Sequence, residues 1–509
     1  MDMDGEACDD VQVRHAKTFK AGCAMAVTQA PGNLARAGLR GAVWQGLAFV
    51  SGKAMVLVTT VVLARLLSPK DYGLVALALV LMAYAETIAD AGVAQALVYL
   101  PPTGILARSA LLISVALGAL LASVAFLGAP AIATLFGLPA VVPLVQVLGL
   151  SVFATACGAV PEALLRRDLK FKQLTAAPVI RAATMGAVTL TLAFSGHGAW
   201  SLAVGTAAGS MAYATTCWFL IRRTAPWQLW RVNGSSLTAN IRYGAPVAGS
   251  NLLARLIFDV DYLVIGLLLG AQALGLYTLA FRLPEALILN VFFVLSTVLF
   301  PLYAQVKGDH QRLRDGYLRS VQIQTLYGLT TGVGLAVVAP VLVPVLFGPR
   351  WADSVVPLVF LALYAAARSL GAGANDVYKA IGRPGISIRV SVVRLIILAP
   401  VLWLSARWGI VGVAAAQLVV AVVFACGMQT VAARVIGIRS RRLLKAALPG
   451  LACGAAAAVA GLGTLALPAL GAIPTLMLVV VTGVGLVYIV LRFGFRELHD
   501  EVLKLARKA

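Results

Sequence analysis

The chain has 509 residues, 61% hydrophobic and 12% charged, with 41 lysines and arginines against 20 acids and a net charge of +21. Soluble domains are about 45–50% apolar, so this composition excludes an ordinary globular protein and points to an integral membrane one, provided the apolar residues fall in runs of about 20. They do, and the runs are continuous rather than alternating in segments of about ten, which selects helices over a β-barrel.

In chain order, residues 1–38 are a mixed polar tail opening with MDMDGEACDD; they contain no apolar stretch of signal-peptide length and are expected to form a disordered cytoplasmic extension. Six spans follow within 39–223, near 41–64, 74–97, 109–130, 142–164, 174–195 and 199–221. Six more lie within 241–433, near 243–268, 275–302, 318–345, 355–378, 386–405 and 409–432. A final pair within 443–495, near 446–467 and 473–491, precedes a cytoplasmic tail at 496–509. The expected architecture is therefore all-α and membrane-integral, with about fourteen transmembrane helices.

The basic residues are distributed by side. With the N-terminus inside, 31 of the lysines and arginines fall on the cytoplasmic side and 4 (Arg65, Lys70, Arg350 and Arg407) on the other. This is the positive-inside asymmetry, and it accounts for most of the net charge without any nucleic-acid partner. Both termini are expected in the cytoplasm.

A phrase occurs twice. LFGLPAVVPLV begins at Leu135 and LFGPRWADSVVPLV at Leu346; LFG matches at an offset of 211 and VVPLV at 214, with a three-residue insertion inside PRWADS. LLSPKDYGLVALA from Leu66 matches LLGAQALGLYTLA from Leu268 at offset 202, and GAWSLAVG from Gly198 matches GIVGVAAA from Gly409 at offset 211. The collinear order implies a duplicated six-helix unit. Six spans separate equivalent helices, so both copies enter the membrane from the same side and form parallel-repeat six-helix lobes, with the last helix pair appended.

Six cations remain inside spans: Lys53, Arg181, Arg255, Arg282, Arg368 and Arg394. A charge at a helix centre costs roughly 2.5–3.5 kcal/mol on insertion scales, so these groups are expected to face a wet cavity or one another. Offset 202 places Lys53 on Arg255, and an offset of 213 places Arg181 on Arg394, which suggests a shared cleft presenting positive potential to an anion. The plainer reading stands beside it: Arg255 and Asp259, four apart, and Arg282 and Glu285, three apart, are spaced to pair on one helix face. Glu86, Asp90, Asp259, Asp261 and Glu285 are candidates for coupling to a proton or cation. Glu162 and Asp376, equivalent at offset 214, are expected near the cytoplasmic interface, pairing or snorkelling there.

Several chemistries lack their residues. No GxxxxGK[ST] loop is found, the outward loops carry only Asp71 and Asp353 as acids, and four histidines and six cysteines are dispersed without metal-ligand or disulfide spacing. No catalytic residues, no metal and no cofactor are expected.

ARLLSPKDYGLVALALVLMAYAETIADAGVAQALV, from Ala64, resembles the first-to-second helix region of Wzx-type polysaccharide transporters, members of the multidrug/oligosaccharidyl-lipid/polysaccharide superfamily. FDVDYLVIGLLLGAQALGLYTLAFRLPE, from Phe258, is similar to their seventh-to-eighth helix region; LFGPRWADSVVPLVFLAL and YKAIGRPG resemble the C-terminal half, and the likeness spans roughly 40–440. The resemblance implies a MATE-like pair of lobes working by alternating access, in the bacterial inner membrane. It implies export of an oligosaccharide linked to undecaprenyl pyrophosphate for exopolysaccharide, capsule or O-antigen synthesis. The polysaccharide polymerase and chain-length machinery are the partners it suggests, beside membrane lipids. A drug/cation antiporter and a peptidoglycan-precursor flippase are alternatives of the same fold. A membrane glycan polymerase or glycosyltransferase is a different class, disfavoured by the short loops.

Overall fold

The computed structural model describes residues 52–53, 55–99, 104–168, 171–222, 234–306, 308–383, 385–466 and 471–496. The tail expected at 1–38 lies outside the described residues, as does 497–509. All regular structure among the described residues is helical: α1 (Met55–Leu66), α2 (Pro69–Asp90), α3 (Val93–Tyr99), α4 (Gly104–Phe136), α5 (Val141–Arg167), α6 (Phe171–Phe194) and α7 (Ala199–Ile221) make the first half. The second half comprises α8 (Gly234–Leu268), α9 (Gly270–Pro284), α10 (Asn290–Gln305), α11 (His310–Leu346), α12 (Val355–Ala380), α13 (Gly385–Ser405) and α14 (Gly409–Ile436). Then come α15 (Ser440–Leu465) and α16 (Ala472–Gly494).

Among the described residues ten helical segments are long and apolar enough to cross a membrane, one of them (Gly385–Ile436) holding both α13 and α14, so the protein is a multi-pass membrane protein. The expected spans 199–221 and 243–268 are helices too, α7 and part of α8, but neither belongs to that apolar set. Arg242, Arg255, Asp259 and Asp261 dilute α8, and small and hydroxylated residues dilute α7. The span expected at 41–64 is described only from residue 52 onward.

Local chemistry sets the helix ends. Ser68 caps α2, its Oγ accepting from the Asp71 N–H at 3.2 Å, with Pro69 in the first turn. Asp309 caps α11, accepting from the N–H groups of Gln311 and Arg312 at 3.0 Å each. The repeated phrase marks equivalent ends. Leu135 lies at the end of α4 and Leu346 at the end of α11, each followed two residues later by a glycine with positive φ (Gly137 at 63° and Gly348 at 100°). Each VVPLV then opens a helix, α5 at Val141 and α12 at Val355, and the inserted PRWADS is a 3₁₀ turn, Pro349–Ser354. Gly198 and Gly409, matched at offset 211, both have positive φ at the start of α7 and α14.

The packing order also repeats. α4 packs on α5, α5 on α7 and α6 on α7; correspondingly α11 packs on α12, α12 on α14 and α13 on α14. The halves meet where α2 crosses α9. A Cβ on Gly73 would lie 1.7 Å from the Ala271 carbonyl oxygen, and one on Gly275 would lie 1.9 Å from that of Pro69. Pro69 and Ala271 are equivalent at offset 202, as are Gly73 and Gly275, so residue i meets j and j meets i, as across a two-fold axis. α15 and α16 both pack on α11, α15 through Gly450 against the Thr325 backbone.

Candidate functional site

α2 does not run on into α3. Ala91 and Gly92 both have positive φ, 46° and 67°, and the turn they make seats Gly92 against Gly244 of α8. Positive φ is costly for alanine, so the packing around it holds this break open. Asp90, the last residue of α2, sits at the break and faces a cavity of about 610 Å³ in the first half. Six charged side chains line it: Lys53, Glu86, Asp90, Glu162, Arg166 and Arg181. Pro161 and Pro178 lie within the helices that supply Glu162 and Arg181, and Pro178 itself lines the cavity. Thr155 donates to Glu86 at 3.3 Å, Tyr213 donates to Glu162, and Arg166 Nη2 donates to Glu162 at 2.6 Å. Arg181 stands 5.7 Å from the centre of the Tyr213 ring, and Glu86 lies within the electrostatic reach of both Arg181 and Arg255.

Ion pairs continue from this cavity to the second half. Lys53 Nζ is 3.6 Å from Glu285 Oε1, and the other oxygen of Glu285 is 3.5 Å from Arg282 Nη1. Glu285 opens a π-helical turn, Glu285–Leu289, directly after Pro284; the missing proline donor and the wider turn let its carboxylate lie between two cations from different halves. Arg255 donates to Asp259 at 2.6 Å, the pairing their spacing foretold. Arg282 lies against Tyr72 of α2, so it too spans the two halves.

A second cavity, of about 210 Å³, lies within the second half and is lined by Phe258, Arg368, Asn375, Ser391 and Arg394 among others. Arg368 donates to the Tyr364 hydroxyl at 2.6 Å and stacks 3.8 Å from the Phe258 ring centre. Nε and Nη2 of Arg394 are buried and unpartnered. Asp261, expected as a coupling group, lines neither cavity. It is 3% exposed, accepts from the Tyr277 hydroxyl at 2.7 Å, and is packed among aromatics, with Tyr262 edge-on to Tyr277.

The structure thus brings Lys53, Glu86, Asp90 and Arg181 to one cavity, Arg368 and Arg394 to another, and Arg255, Arg282, Asp259 and Glu285 to pairs beside them. Glu162, expected near the cytoplasmic interface, lines the cavity together with Arg166, which the sequence did not single out; their spacing of four was the available signal. Asp376, equivalent to Glu162, is buried at 2% exposure and accepts from Ser296 rather than snorkelling. Tyr213, Tyr364 and Phe258 were not legible as cation partners, because each contact crosses helices or depends on which face of a helix turns inward.

Comparisons with known proteins bear on the family and the fold. The chain is similar to "Lipopolysaccharide biosynthesis protein WzxC" of Escherichia coli (strain K12), at 25% identity over 76% of this chain and 78% of that protein. It is similar to "Succinoglycan biosynthesis transport protein ExoT" of Rhizobium meliloti (strain 1021), at 26% identity over 63% of this chain and 64% of that one. Its fold is that of the lipid II flippase MurJ in an inward closed conformation, with a TM-score of 0.70 at 14% identity, covering 88% of this chain and 98% of the other. The family described as polysaccharide biosynthesis protein matches residues 62–356, more than half of the chain, and the chain belongs to that family.

Proposed function

We propose that this protein is an inner-membrane flippase that exports an oligosaccharide linked to undecaprenyl pyrophosphate, for assembly of an exopolysaccharide, capsule or O-antigen. It is a carrier, not an enzyme. The observation that carries the reading is the charged cavity of about 610 Å³ inside a membrane-embedded bundle, joined to the opposite half by the Lys53–Glu285 ion pair. In an apolar surround such a cavity stays wet, offers hydrogen bonds to sugar hydroxyls and offsets the loss of water by an anionic headgroup. The two halves rock about the α2–α9 crossing, and the polyprenyl chain stays in lipid. Glu86 and Asp90 are the acids placed to couple this motion to a proton or cation. Both termini lie in the cytoplasm, and the polymerase and chain-length machinery receive the product outside.

The test is a deletion strain. It should accumulate a lipid-linked oligosaccharide on the cytoplasmic side and regain polymer export with the wild-type chain. Arg181→Ala or Arg255→Ala should restore less export at equal protein level. Normal polymer and no accumulated intermediate in the deletion strain would sink the proposal.

A further inference from the structure

The two cavities differ in a way the duplication alone does not explain. The first mixes three carboxylates with three cations. The second is lined by two arginines, Arg368 on α12 and Arg394 on α13, and by no acid. Among the described residues no carboxylate forms an ion pair with either. Their guanidiniums lie close enough to repel each other and share the Tyr364 hydroxyl as a neighbour, while the Asp261 carboxylate, within electrostatic reach of Arg394, is already engaged by Tyr277. Phe258 shields Arg368, while two N–H edges of Arg394 are buried with nothing to accept from them. Two neighbouring cations with idle donors inside a membrane bundle favour a counter-charge in direct contact, and no carboxylate among the described residues lines this cavity to supply one.

We infer that Arg368 and Arg394 form an anion site of their own in the second half, which takes a phosphoryl oxyanion. The guanidinium fork matches tetrahedral oxygens with paired hydrogen bonds, and Asn375 and Ser391 add neutral polar groups to the lining. A volume of about 210 Å³ has room for a phosphate or diphosphate group. The inference rests on the transport reading only for the ligand's origin: a phosphorylated lipid headgroup engages here as a second station beside the mixed-charge cavity, which also receives the glycan. A free inorganic anion would use the same contacts.

The test is binding without transport. The full chain, in nanodiscs of phosphatidylcholine at fixed ionic strength, is titrated with inorganic pyrophosphate in one arm and farnesyl pyrophosphate in the other. Calorimetry and the melting temperature are the readouts. Wild type should bind and be stabilised by at least one ligand. Arg368→Gln and Arg394→Gln should each weaken that binding by about tenfold or more, Arg394→Lys should weaken it less, and Arg407→Gln, an exposed charge outside the cavity, should match wild type. Tighter farnesyl pyrophosphate identifies a lipid headgroup as the source; equal affinities identify the free anion. No binding in either arm overturns the site, as does wild-type affinity in both glutamine variants. If Arg394→Gln fails to fold, Arg368→Gln and Arg394→Lys still decide. Pair-dependent binding together with normal export from a deletion strain would leave the site standing and remove the flippase reading. Restored export without binding would do the reverse.

Discussion

Replacing Gly73 with alanine places a methyl carbon 1.7 Å from the carbonyl oxygen of Ala271 and 2.8 Å from the backbone nitrogen of Gly275. Carbon and oxygen approach no closer than about 3.3 Å in such contacts, so α2 and α9 must part by roughly 1.6 Å at their crossing. The obstacle is backbone on a packed helix and cannot swing aside. Overpacking of this kind costs about 1–3 kcal/mol, and the better helix propensity of alanine returns about 1 kcal/mol. A net penalty of up to about 2 kcal/mol falls only on the conformation in which the halves touch here, and shifts its population by a factor of up to about 30. Spin labels on cysteines replacing His197 and Arg407, exposed at equivalent loops of the two halves, report the opening on a background lacking the native cysteines. Gly73→Ala should lengthen that distance distribution and lower the melting temperature. Gly334→Ala in α11, where a Cβ would meet nothing within 4 Å, should do neither. A wild-type distribution and melting temperature in Gly73→Ala would refute the role given to this crossing.

Three further outcomes follow from named contacts. Trp351→Phe removes the indole N–H that donates to the Ala64 carbonyl at 2.7 Å and should destabilise the protein by about 1–3 kcal/mol, read as a lower melting temperature in detergent. The Lys53–Glu285 pair is partly exposed, with side chains 40% and 30% accessible, so neutralising either should change stability by less than about 1 kcal/mol while reducing export; the exchange Lys53→Glu with Glu285→Lys should recover export, and failure to recover it removes the pair from the mechanism. Asp261→Leu orphans the Tyr277 hydroxyl and should lower the amount of protein in the membrane with unchanged export per molecule; an abundant but inactive Asp261→Asn would instead make Asp261 a coupling group.

The sequence was most readable where a single physical signal dominates. Hydropathy located most of the helices, because lipid imposes long apolar runs, and it was weakest for α8, whose four charges interrupt the apolar run. Pairings at spacings of three and four, Arg255 with Asp259 and Arg282 with Glu285, follow from helix geometry and are present. The Lys53–Glu285 pair was not legible, since it depends on how the two halves sit together and on a π turn that rotates Glu285. Glu162, expected to pair or snorkel near the cytoplasmic interface, does pair, with Arg166; that the cavity reaches this helix end is a tertiary property. Asp261 looked like an intramembrane acid available for coupling, but aromatic residues distant in sequence enclose it.

The duplicated phrase, finally, separates what the two halves share from what each has altered. Equivalent glycines follow α4 and α11, and equivalent valines begin α5 and α12, so the scaffold is kept. The three-residue insertion of the second copy is where they part. It makes the 3₁₀ turn that carries Arg350 and Trp351 to the first half, where Trp351 packs edge-on to Tyr72 at 5.8 Å and bonds to Ala64, and Arg350 reaches the Leu67 carbonyl at 3.5 Å. Arg65 answers from the first half by donating to the carbonyls of Leu346 and Val345, the orphan acceptors at the end of α11. Two of the few cations expected on the outer side therefore act as ties between the halves at this end, and none of these ties has a counterpart in the shorter loop after Leu135. A symmetric pair of six-helix units would meet itself through reciprocal contacts such as the α2–α9 crossing. The insertion adds a one-sided clasp beside that crossing, and this lets one end of the interface close firmly while the charged cavity remains open within the first half.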